Sequence, residues 1–252
     1  MLQPTTKRTA ILVDGGYYRK RAAFFWGKER SEVTAKERAD ELIQYCQMHL
    51  ELPDEPRELY RIFYYDCPAM EREMIHPLTG EKIKYSEGDG TKWAKTFFSE
   101  LTSKRKVALR LGELAESQAY FSLKPKALDA IISGAKTIGD LKKNDFKLIV
   151  KQKGVDTRIG LDAASLAYGG YVDQIILIAG DSDFVPVAKM ARRNGIDFIL
   201  DPMKQFIRPG LDEHIDGIES CVDQLSESKH KNAENTGEET ESIEITADLI
   251  TV

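Results

Sequence analysis

The sequence predicts an α/β fold, a three-layer sandwich with a mostly parallel sheet at its centre. Short runs rich in Ile, Val and Leu alternate with stretches of helical periodicity, and buried parallel strands have that composition. The 42% hydrophobic content of the 252 residues is enough for a sizeable core. Alternating strands and helices imply right-handed βαβ units, with helices on both faces of one sheet.

The elements follow one another in a regular order. The predicted strands are residues 10–14, 61–66, 106–111, 147–151, 174–179 and 197–200. One helix follows Thr34, which forms a capping-box pattern with Glu37. Further helices are predicted around 92–101, after Asp156, and over 184–194, where Gly195 ends the last of them.

The charge of the chain is unevenly distributed. Residues 226–252 hold seven acidic residues and two lysines, so they carry a net charge of −5, equal to that of the whole chain. This composition predicts a formally neutral domain over 1–225 and an acidic, mostly disordered tail over 226–252. The tail is a candidate binding segment for a protein partner.

The cysteines and histidines limit which metal sites and which cellular compartment the sequence predicts. Three cysteines form no CxxC motif, and the four histidines show no zinc-ligand spacing, so a zinc site is disfavoured. We predict free thiols in the cytoplasm. No apolar stretch has the length of a signal peptide or a membrane span, which predicts no membrane partner. A monomer and a homo-oligomer both remain open.

Four aspartates follow the predicted strands and are expected to meet at one edge of the sheet. They are Asp14, Asp156, Asp181 and Asp183. Ligands of parallel sheets bind beyond the carboxyl ends of the strands. Carboxylates crowded there repel one another unless a cation is present, and oxygen ligands favour Mg²⁺ or Mn²⁺. Such ions can activate water for phosphodiester hydrolysis, so we predict a metal-dependent catalytic site.

Each aspartate also has a purely structural interpretation. An Asp before a helix is commonly only its N-cap, which applies to Asp156 and Asp183. An Asp before two glycines is often a turn residue, which applies to Asp14. The combination of four at one edge favours the metal site.

Residues near these aspartates are candidates for substrate binding. Gly15 leaves space for a phosphate, and Ser182 either binds at the site or, as its commoner role, caps the following helix. Lys153 and Arg158 can follow a phosphate backbone. In a chain with 31% charged residues, however, most basic side chains are simply solvated.

The chain resembles the NYN domain in four segments, most closely its bacterial LabA-like branch within the PIN-like nuclease superfamily. The segments are ILVDGGYY, FYYDCP, KGVDTRIGLDAASLA and IILIAGDSDFVPVAKMARRNGIDFIL. The likeness spans residues 8–205 and is strongest over 153–200. GDSDF followed by Pro186 is fairly specific, whereas DGG alone is not.

The resemblance implies a Rossmann-like PIN fold with a Mg²⁺-dependent site that acts on RNA. By position, Asp14 is the first-strand ligand and Asp156 the acidic residue before the middle helix, while Asp181 and Asp183 complete the site. Asp162 also matches a family position. At ~100° per residue it lies about 240° around the helix from Asp156, so we expect it to support the site rather than bind metal.

Two further positions bear on the substrate. Lys153 matches the basic residue that precedes the VD pair of the family and is expected to contact a phosphate. Tyr17 stands where many NYN domains have Asn, three residues after the first Asp. This departure leaves the expected ligands intact but bears on how the substrate is held.

The leading functional prediction is a metal-dependent endoribonuclease. The alternative is a catalytically weak or inactive module that binds RNA or a protein partner in a regulatory role. A phosphatase of the haloacid-dehalogenase type is disfavoured, because Gly16 stands where that superfamily needs a second Asp. A dehydrogenase is disfavoured because no GxGxxG motif follows a strand.

Overall fold

The computed structural model describes residues 6–51, 56–180, 182–207 and 212–236. Its strands are β1 (Lys7–Asp14), β2 (Arg57–Asp66), β3 (Glu73–Ile75), β4 (Lys82–Lys84), β5 (Val107–Leu111), β6 (Glu113–Leu114), β7 (Tyr120–Leu123), β8 (Phe146–Ile149), β9 (Gln152–Lys153), β10 (Gln174–Ile178), β11 (Asp197–Asp201) and β12 (Gly217–Ile218). Its helices are α1 (Gly15–Trp26), α2 (Ala35–Met48), α3 (Asp89–Ser103), α4 (Pro125–Ile132), α5 (Val155–Tyr168), α6 (Val185–Arg193) and α7 (Val222–Thr236).

The centre of the fold is a six-stranded, all-parallel sheet. Its strand order is β12-β11-β10-β1-β2-β5, with β1 paired to β2 on one side and to β10 on the other. The predicted α/β class with a parallel central sheet is confirmed.

The order of the strands reverses at β1. From β1 the chain moves outward through β2 to β5, and it then returns to the other side of β1 and moves outward through β10, β11 and β12. A crevice forms at such a switch point, beyond the carboxyl ends of the two central strands, and ligands of open α/β sheets bind there. In this chain the switch point lies between β1 and β10.

Alternate residues of the strands bury their side chains in two separate cores. Ile11 and Val13 of β1 pack with helices α1, α2, α3 and α7 on one face of the sheet. Ala10 and Leu12 pack with α5 and α6 on the other face. Successive side chains of a strand point to opposite faces, so the apolar run at residues 10–13 supplies both cores. The molecule therefore has the three layers that the sequence predicts.

The helix boundaries follow the local signals of the sequence. Thr34 and Glu37 form the predicted capping box, with hydrogen bonds of 3.2 Å from Glu37 N to Thr34 Oγ1 and 2.7 Å from Thr34 N to Glu37 Oε2. Gly195 follows the last turn of α6 with a φ of +78°, a backbone conformation that suits glycine.

The predicted strand at 147–151 does not belong to the central sheet, which corrects that prediction. β8 covers residues 146–149 and pairs antiparallel with β7 in a separate two-stranded sheet. The apolar side chains of this run are only half-buried. β8 belongs to an insertion between β5 and α5 (residues 112–154), which also contains β6, β7, α4 and β9.

The insertion packs against a second excursion, the β3-β4 hairpin. The ring of His76, just beyond β3, lies 5.0 Å from that of Phe121 and 5.2 Å from that of Phe146, measured between centroids. The backbone N–H of Gly112 donates to the carbonyl of Asp66 at 2.8 Å. The insertion therefore starts at the carboxyl edge of the central sheet, next to the end of β2.

The domain extends further than the predicted boundary at residue 225. Helix α7 runs to Thr236 and packs on α1 and α2. Trp26 Nε1 donates to Ser226 Oγ and Gln44 Nε2 donates to Ser228 Oγ, each at 3.0 Å. These contacts lie in the segment that the acidic composition alone predicts as tail, and residues 237–252 lie outside the described part. Within the described residues, no helix is both long and apolar enough to cross a membrane.

Candidate active site at the carboxyl edge of the sheet

Asp14 is the last residue of β1 and lies at the switch point. Its side chain accepts a 3.1 Å hydrogen bond from Tyr17 N and so caps α1. The next residue must be glycine, because a Cβ on Gly15 would lie 2.5 Å from the ring of Tyr64 and 2.6 Å from the carbonyl of Tyr65. The chain therefore turns sharply from β1 into α1, and the carboxylate lies at the edge of the sheet.

Asp66 is a second carboxylate at this edge, and it is absent from the sequence-based set of site residues. Asp14 pairs with Tyr65 across β1 and β2, so Asp66 lies one residue beyond the partner of Asp14 on the neighbouring strand. Adjacent strands are ~4.8 Å apart. The signal was present in the sequence, because RIFYYD ends in Asp just as AILVD does.

Asp66 is held by several groups. Its side chain is 1% exposed, and Oδ1 accepts a 2.7 Å hydrogen bond from Cys67 N. Oδ2 lies 3.3 Å from Nη2 of Arg19 and 3.4 Å from the hydroxyl of Tyr64, which donates to it. Burial raises the pKa of Asp66 above its usual range, and the Arg19 guanidinium opposes this.

The charges of two other carboxylates act on Asp14. Burial raises the pKa of Asp14 to about 6, with further upward contributions from the carboxylates of Asp156 and Asp66. Hydrogen bonds from Tyr17 N and Gly16 N act in the opposite direction. The fold therefore concentrates negative charge around Asp14, which is the electrostatic condition for binding a cation.

Asp156 does not cap α5, which corrects one of its two predicted interpretations. The N-cap is Gly154 with a φ of +79°, and Asp156 is the second residue of the helix, with an exposed side chain. Lys153, on β9, and Arg158, on α5, are also exposed. Arg158 and Asp156 both lie near enough to Cys67 to influence the pKa of its thiol. These residues border the same edge as Asp14.

Asp162 lies on α5 and is engaged by other side chains. Its Oδ2 accepts a 2.9 Å hydrogen bond from the hydroxyl of Tyr65 and a 3.0 Å hydrogen bond from Nε of Arg110. This carboxylate therefore links α5 to β2 and β5. Arg110 therefore already provides a cationic partner for the Asp162 carboxylate.

The segment after β10 is described in part. Asp181 lies outside the described residues, and so does the side chain of Ser182. Asp183 is exposed, in a 3₁₀ turn that precedes α6. A Cβ on Gly180 would lie 2.3 Å from the ring of Tyr17, so this ring packs directly on the backbone before Asp181.

The position of Tyr17 explains how the chain accommodates a large residue there. Its ring covers Gly180, and its hydroxyl donates a 2.5 Å hydrogen bond to the carbonyl of Pro202. Tyr17 thus joins α1 to the segments that follow β10 and β11. Tyr18 is fully buried and its hydroxyl donates to Glu41 at 3.1 Å, so it is a core residue.

The part of the chain that the structure describes contains no group of three or more His, Cys, Asp or Glu side chains arranged to hold a metal ion. The predicted cluster of four aspartates is therefore not brought together in that part, from which Asp181 is missing. What the described residues do show is one carboxylate at the switch point, Asp14, whose pKa is raised in part by the charges of Asp156 and Asp66.

Asp201, at the end of β11, forms a different kind of site. It is fully buried and accepts hydrogen bonds from the hydroxyl of Tyr45 at 2.5 Å and from Met203 N at 2.7 Å, and it lies 2.8 Å from His49 Nε2. Burial lowers the pKa of His49, but the hydrogen bonds with Asp201 and Cys221 outweigh it and raise the pKa to about 10. This ion pair stabilises the junction of α2, β11 and the start of α7.

A cavity lies at the opposite edge of the sheet. It has a volume of about 710 Å³ and is lined by Lys189, Arg192, Arg193 and Asp197. Asp197 begins β11, so this cavity faces the amino ends of the strands. It is separated by the length of the sheet from Asp14, and its basic residues are remote from the candidate site.

Comparison with known proteins identifies the family. The family model described as "NYN domain" matches residues 80–206, which is half of the chain. No curated protein matches. A crystal structure of a protein of unknown function from Vibrio parahaemolyticus has a TM-score of 0.43 and 15% identity, covering 86% of this chain and 94% of that chain, which is too distant a likeness to add to the description. The chain belongs to the NYN domain family, and its parallel α/β sheet is consistent with the PIN-like fold of that family.

Proposed function

We propose that this protein is a metal-dependent endoribonuclease of the LabA-like branch. The observation that supports it most is the position of Asp14, at the switch point of a parallel sheet with Asp66 and Asp156 close to it. Membership in the NYN family, whose domains are generally nucleases, also supports the proposal. The three cysteines are free and buried, which suits a reducing compartment, and we place the activity in the cytoplasm.

The available ligands suit Mg²⁺ or Mn²⁺. Asp66 is paired with Arg19, Asp162 with Arg110 and Asp201 with His49. Asp14 has no such cationic side chain in the described part of the chain, although two carboxylates lie near it. Carboxylate oxygens are the ligands that hard divalent cations prefer. A bound ion supplies Lewis-acid chemistry, activating water and stabilising the charge that develops on the phosphate.

The residues of the chain have distinct roles in this proposal. Asp14 and Asp156 hold the cation, and Asp181 and Asp183 complete its ligand set from the segment after β10, while Asp66 stays paired with Arg19.

Lys153 and Arg158, which are exposed beside the site, contact phosphates of the RNA. Gly15 is buried against the ring of Tyr64, so the predicted space for a phosphate beside it is filled, which corrects that prediction. The backbone at Ser182, where the turn before α6 begins, binds a phosphate oxygen.

The test is cleavage of labelled single-stranded and structured RNA in Mg²⁺, in Mn²⁺ and in EDTA. Wild type should cut only with metal, and Asp14→Asn and Asp181→Asn should lose activity while keeping the fold. Asp129→Asn, an exposed substitution of the same kind on α4, is the matched control and should cut as wild type does. Cleavage by Asp14→Asn at the wild-type rate would refute the assignment.

A second candidate function is a regulatory module that binds RNA or a protein partner without turnover. It is favoured by the absence, within the described residues, of a three-residue metal-binding group. Tyr17 also favours this function, because its ring packs on Gly180 and its hydroxyl donates to the carbonyl of Pro202, so its side chain has a packing role. RNA binding by wild type with no metal-dependent cleavage under any of the conditions above would establish this function instead.

The acidic residues at 237–252 form the proposed contact for a protein partner, or mask the basic residues beside the site. Five of them are acidic and none is basic, so attraction to Lys153 and Arg158 is the simplest form of masking. A chain ending at Thr236 should then bind RNA more tightly at low salt. An unchanged affinity would remove the masking role and leave the protein partner.

A further inference from the structure

One aromatic side chain is exposed at the carboxyl edge of the sheet, shortly after the end of β11. Phe206 is 76% exposed, and within the described residues no other aromatic ring lies against it. Single exposed apolar side chains are common on protein surfaces, so this exposure alone indicates no function. What distinguishes Phe206 is the turn that precedes it.

The turn before Phe206 has an unusual backbone conformation. It covers residues 202–205 and is closed by a 2.8 Å hydrogen bond from Gln205 N to the carbonyl of Pro202. Its two central residues, Met203 and Lys204, have φ values of +44° and +59°, although neither is glycine. Such a backbone persists only where the surrounding contacts determine it, and it occurs often at sites that bind ligands.

Buried contacts hold this turn in place. Met203 is fully buried, and its N–H donates a 2.7 Å hydrogen bond to Oδ1 of Asp201. The carbonyl of Met203 accepts hydrogen bonds from Nε of Arg21 at 3.1 Å and from Nη2 of the same side chain at 2.7 Å. Phe206 follows directly after this turn, so the fold fixes the point from which its ring projects.

The same turn is connected to the candidate active site. Tyr17 N donates to the carboxylate of Asp14, and the hydroxyl of Tyr17 donates to the carbonyl of Pro202, the first residue of the turn. The ring of Tyr17 also packs on Gly180, which follows β10. Phe206 therefore lies at the same edge of the sheet as Asp14, one side chain and one turn away. An RNA strand bound at Asp14 reaches it within a few nucleotides.

We propose that Phe206 is a stacking platform for one unpaired base of an RNA strand bound at Asp14. This inference rests on the proposed ribonuclease function and assigns single-stranded RNA as its substrate class. An exposed phenyl ring can stack on any base that is free of a base pair. Because the turn already fixes the backbone before the ring, little conformational freedom is lost on binding.

The surroundings of the ring favour a base over a protein partner. Phe206 follows two exposed polar residues, Lys204 and Gln205. A specific protein interface needs a broad contiguous surface, whereas one ring offers the area of one base. We therefore assign this position to RNA.

The experiment measures binding without cleavage. A labelled single-stranded uridine dodecamer and an RNA duplex of the same length are titrated by fluorescence anisotropy in EDTA at low salt. Phe206→Leu removes the aromatic face and keeps an apolar side chain, whereas Phe206→Trp keeps an aromatic ring. Tyr168→Ala is the control, because it removes an aromatic side chain that is 72% exposed at the end of α5, at the opposite edge of the sheet.

Phe206→Leu should bind the single strand about five- to fiftyfold more weakly than wild type, which corresponds to the loss of one stacked base. Phe206→Trp should bind it at least as tightly as wild type, and Tyr168→Ala should bind it equally. All variants should bind the duplex with wild-type affinity, because its bases are already paired, and should melt near the wild-type temperature.

Four results would overturn the proposal. They are wild-type affinity of Phe206→Leu for the single strand, an equal loss in Phe206→Trp, an equal loss of duplex binding, and no binding of the single strand by wild type.

The two proposals fail in different ways. If Phe206→Leu weakens binding of the single strand as expected but wild type cuts RNA with no metal, the nuclease function is wrong and the stacking platform stands. If wild type cuts RNA with metal and Phe206→Leu binds the single strand as wild type does, the nuclease function stands and the platform is wrong. In that case Phe206 becomes a candidate contact for a protein partner.

Discussion

Replacing Asp14 by Asn should make the metal-free protein more stable while removing its activity. Burial and the neighbouring carboxylates raise the pKa of Asp14 from 3.8 to about 6. Because the folded pKa lies above the unfolded one, ionisation of Asp14 opposes folding. This penalty is absent below the unfolded pKa, grows as the pH rises from 3.8 to 6, and is complete above that range.

The size of the effect follows from the shift. About two pKa units correspond to ~3 kcal/mol, an upper limit for a partly exposed side chain, so we expect a gain of ~1–3 kcal/mol at pH 7.5. At pH 4.5 about a third of that gain should remain. The amide oxygen of Asn can still accept the hydrogen bond from Tyr17 N, so the cap of α1 is retained.

Urea denaturation followed by circular dichroism, in EDTA at both pH values, measures this gain. Asp129→Asn, on the exposed surface of α4, should change the free energy of unfolding by less than about 0.5 kcal/mol at either pH. Adding Mg²⁺ should raise the stability of wild type and not that of Asp14→Asn. A variant less stable than wild type at pH 7.5, or a gain equal at the two pH values, would refute the reasoning.

Three further predictions concern the framework of the site. Between pH 6.5 and 10 the free energy of unfolding should fall by a few kcal/mol, because the ion pair of His49 with Asp201 stabilises the fold only while the imidazole of His49 is protonated. Titration of the His49 ring by NMR checks this prediction, and a pKa of His49 below 7 would contradict it. A chain ending at Thr236 should melt like wild type and one ending at Leu225 should melt several degrees lower, since the second loses the contacts of α7; equal melting temperatures would show that the helix does not contribute. Gly180→Ala should lower stability by ~1–3 kcal/mol, because its Cβ would meet an aromatic ring at 2.3 Å, and a neutral effect in denaturant would mean that the ring moves away freely.

The strands of the central sheet could be predicted because composition decides them. β1 and β10 are buried on both faces, and their unbroken apolar runs reflect this directly. The run at 147–151 has a similar composition but lies in the insertion at 112–154, where it forms a hairpin strand. Periodicity alone cannot distinguish a core strand from an apolar hairpin strand. β12, with two residues, is too short to leave a pattern.

The candidate site was predictable only where a residue's position along its own strand decides its location. Asp14 ends β1, and any parallel sheet places it at the carboxyl edge. Asp66 ends β2, so its place at the same edge was predictable too, but its position next to Asp14 depends on β2 being the neighbour of β1, which is a property of topology. The cavity of about 320 Å³ that Asp66 lines together with Leu148 and Val150 depends on how the insertion packs, and this is set by long-range contacts such as that of His76 with Phe121.

The central place of β1 also governs how the chain can fold during synthesis. One edge of β1 pairs with β10, and the hydrogen bond between Thr9 and Gln174 joins residues 165 positions apart. Until the ribosome has released β10, that edge keeps its backbone hydrogen-bonding groups unpaired, which invites pairing with other nascent chains. A fragment limited to 80–206, the range of the family match, would lack the strand on which the sheet is centred. Expression of this protein in pieces should therefore yield aggregates unless residues 7–14 are included.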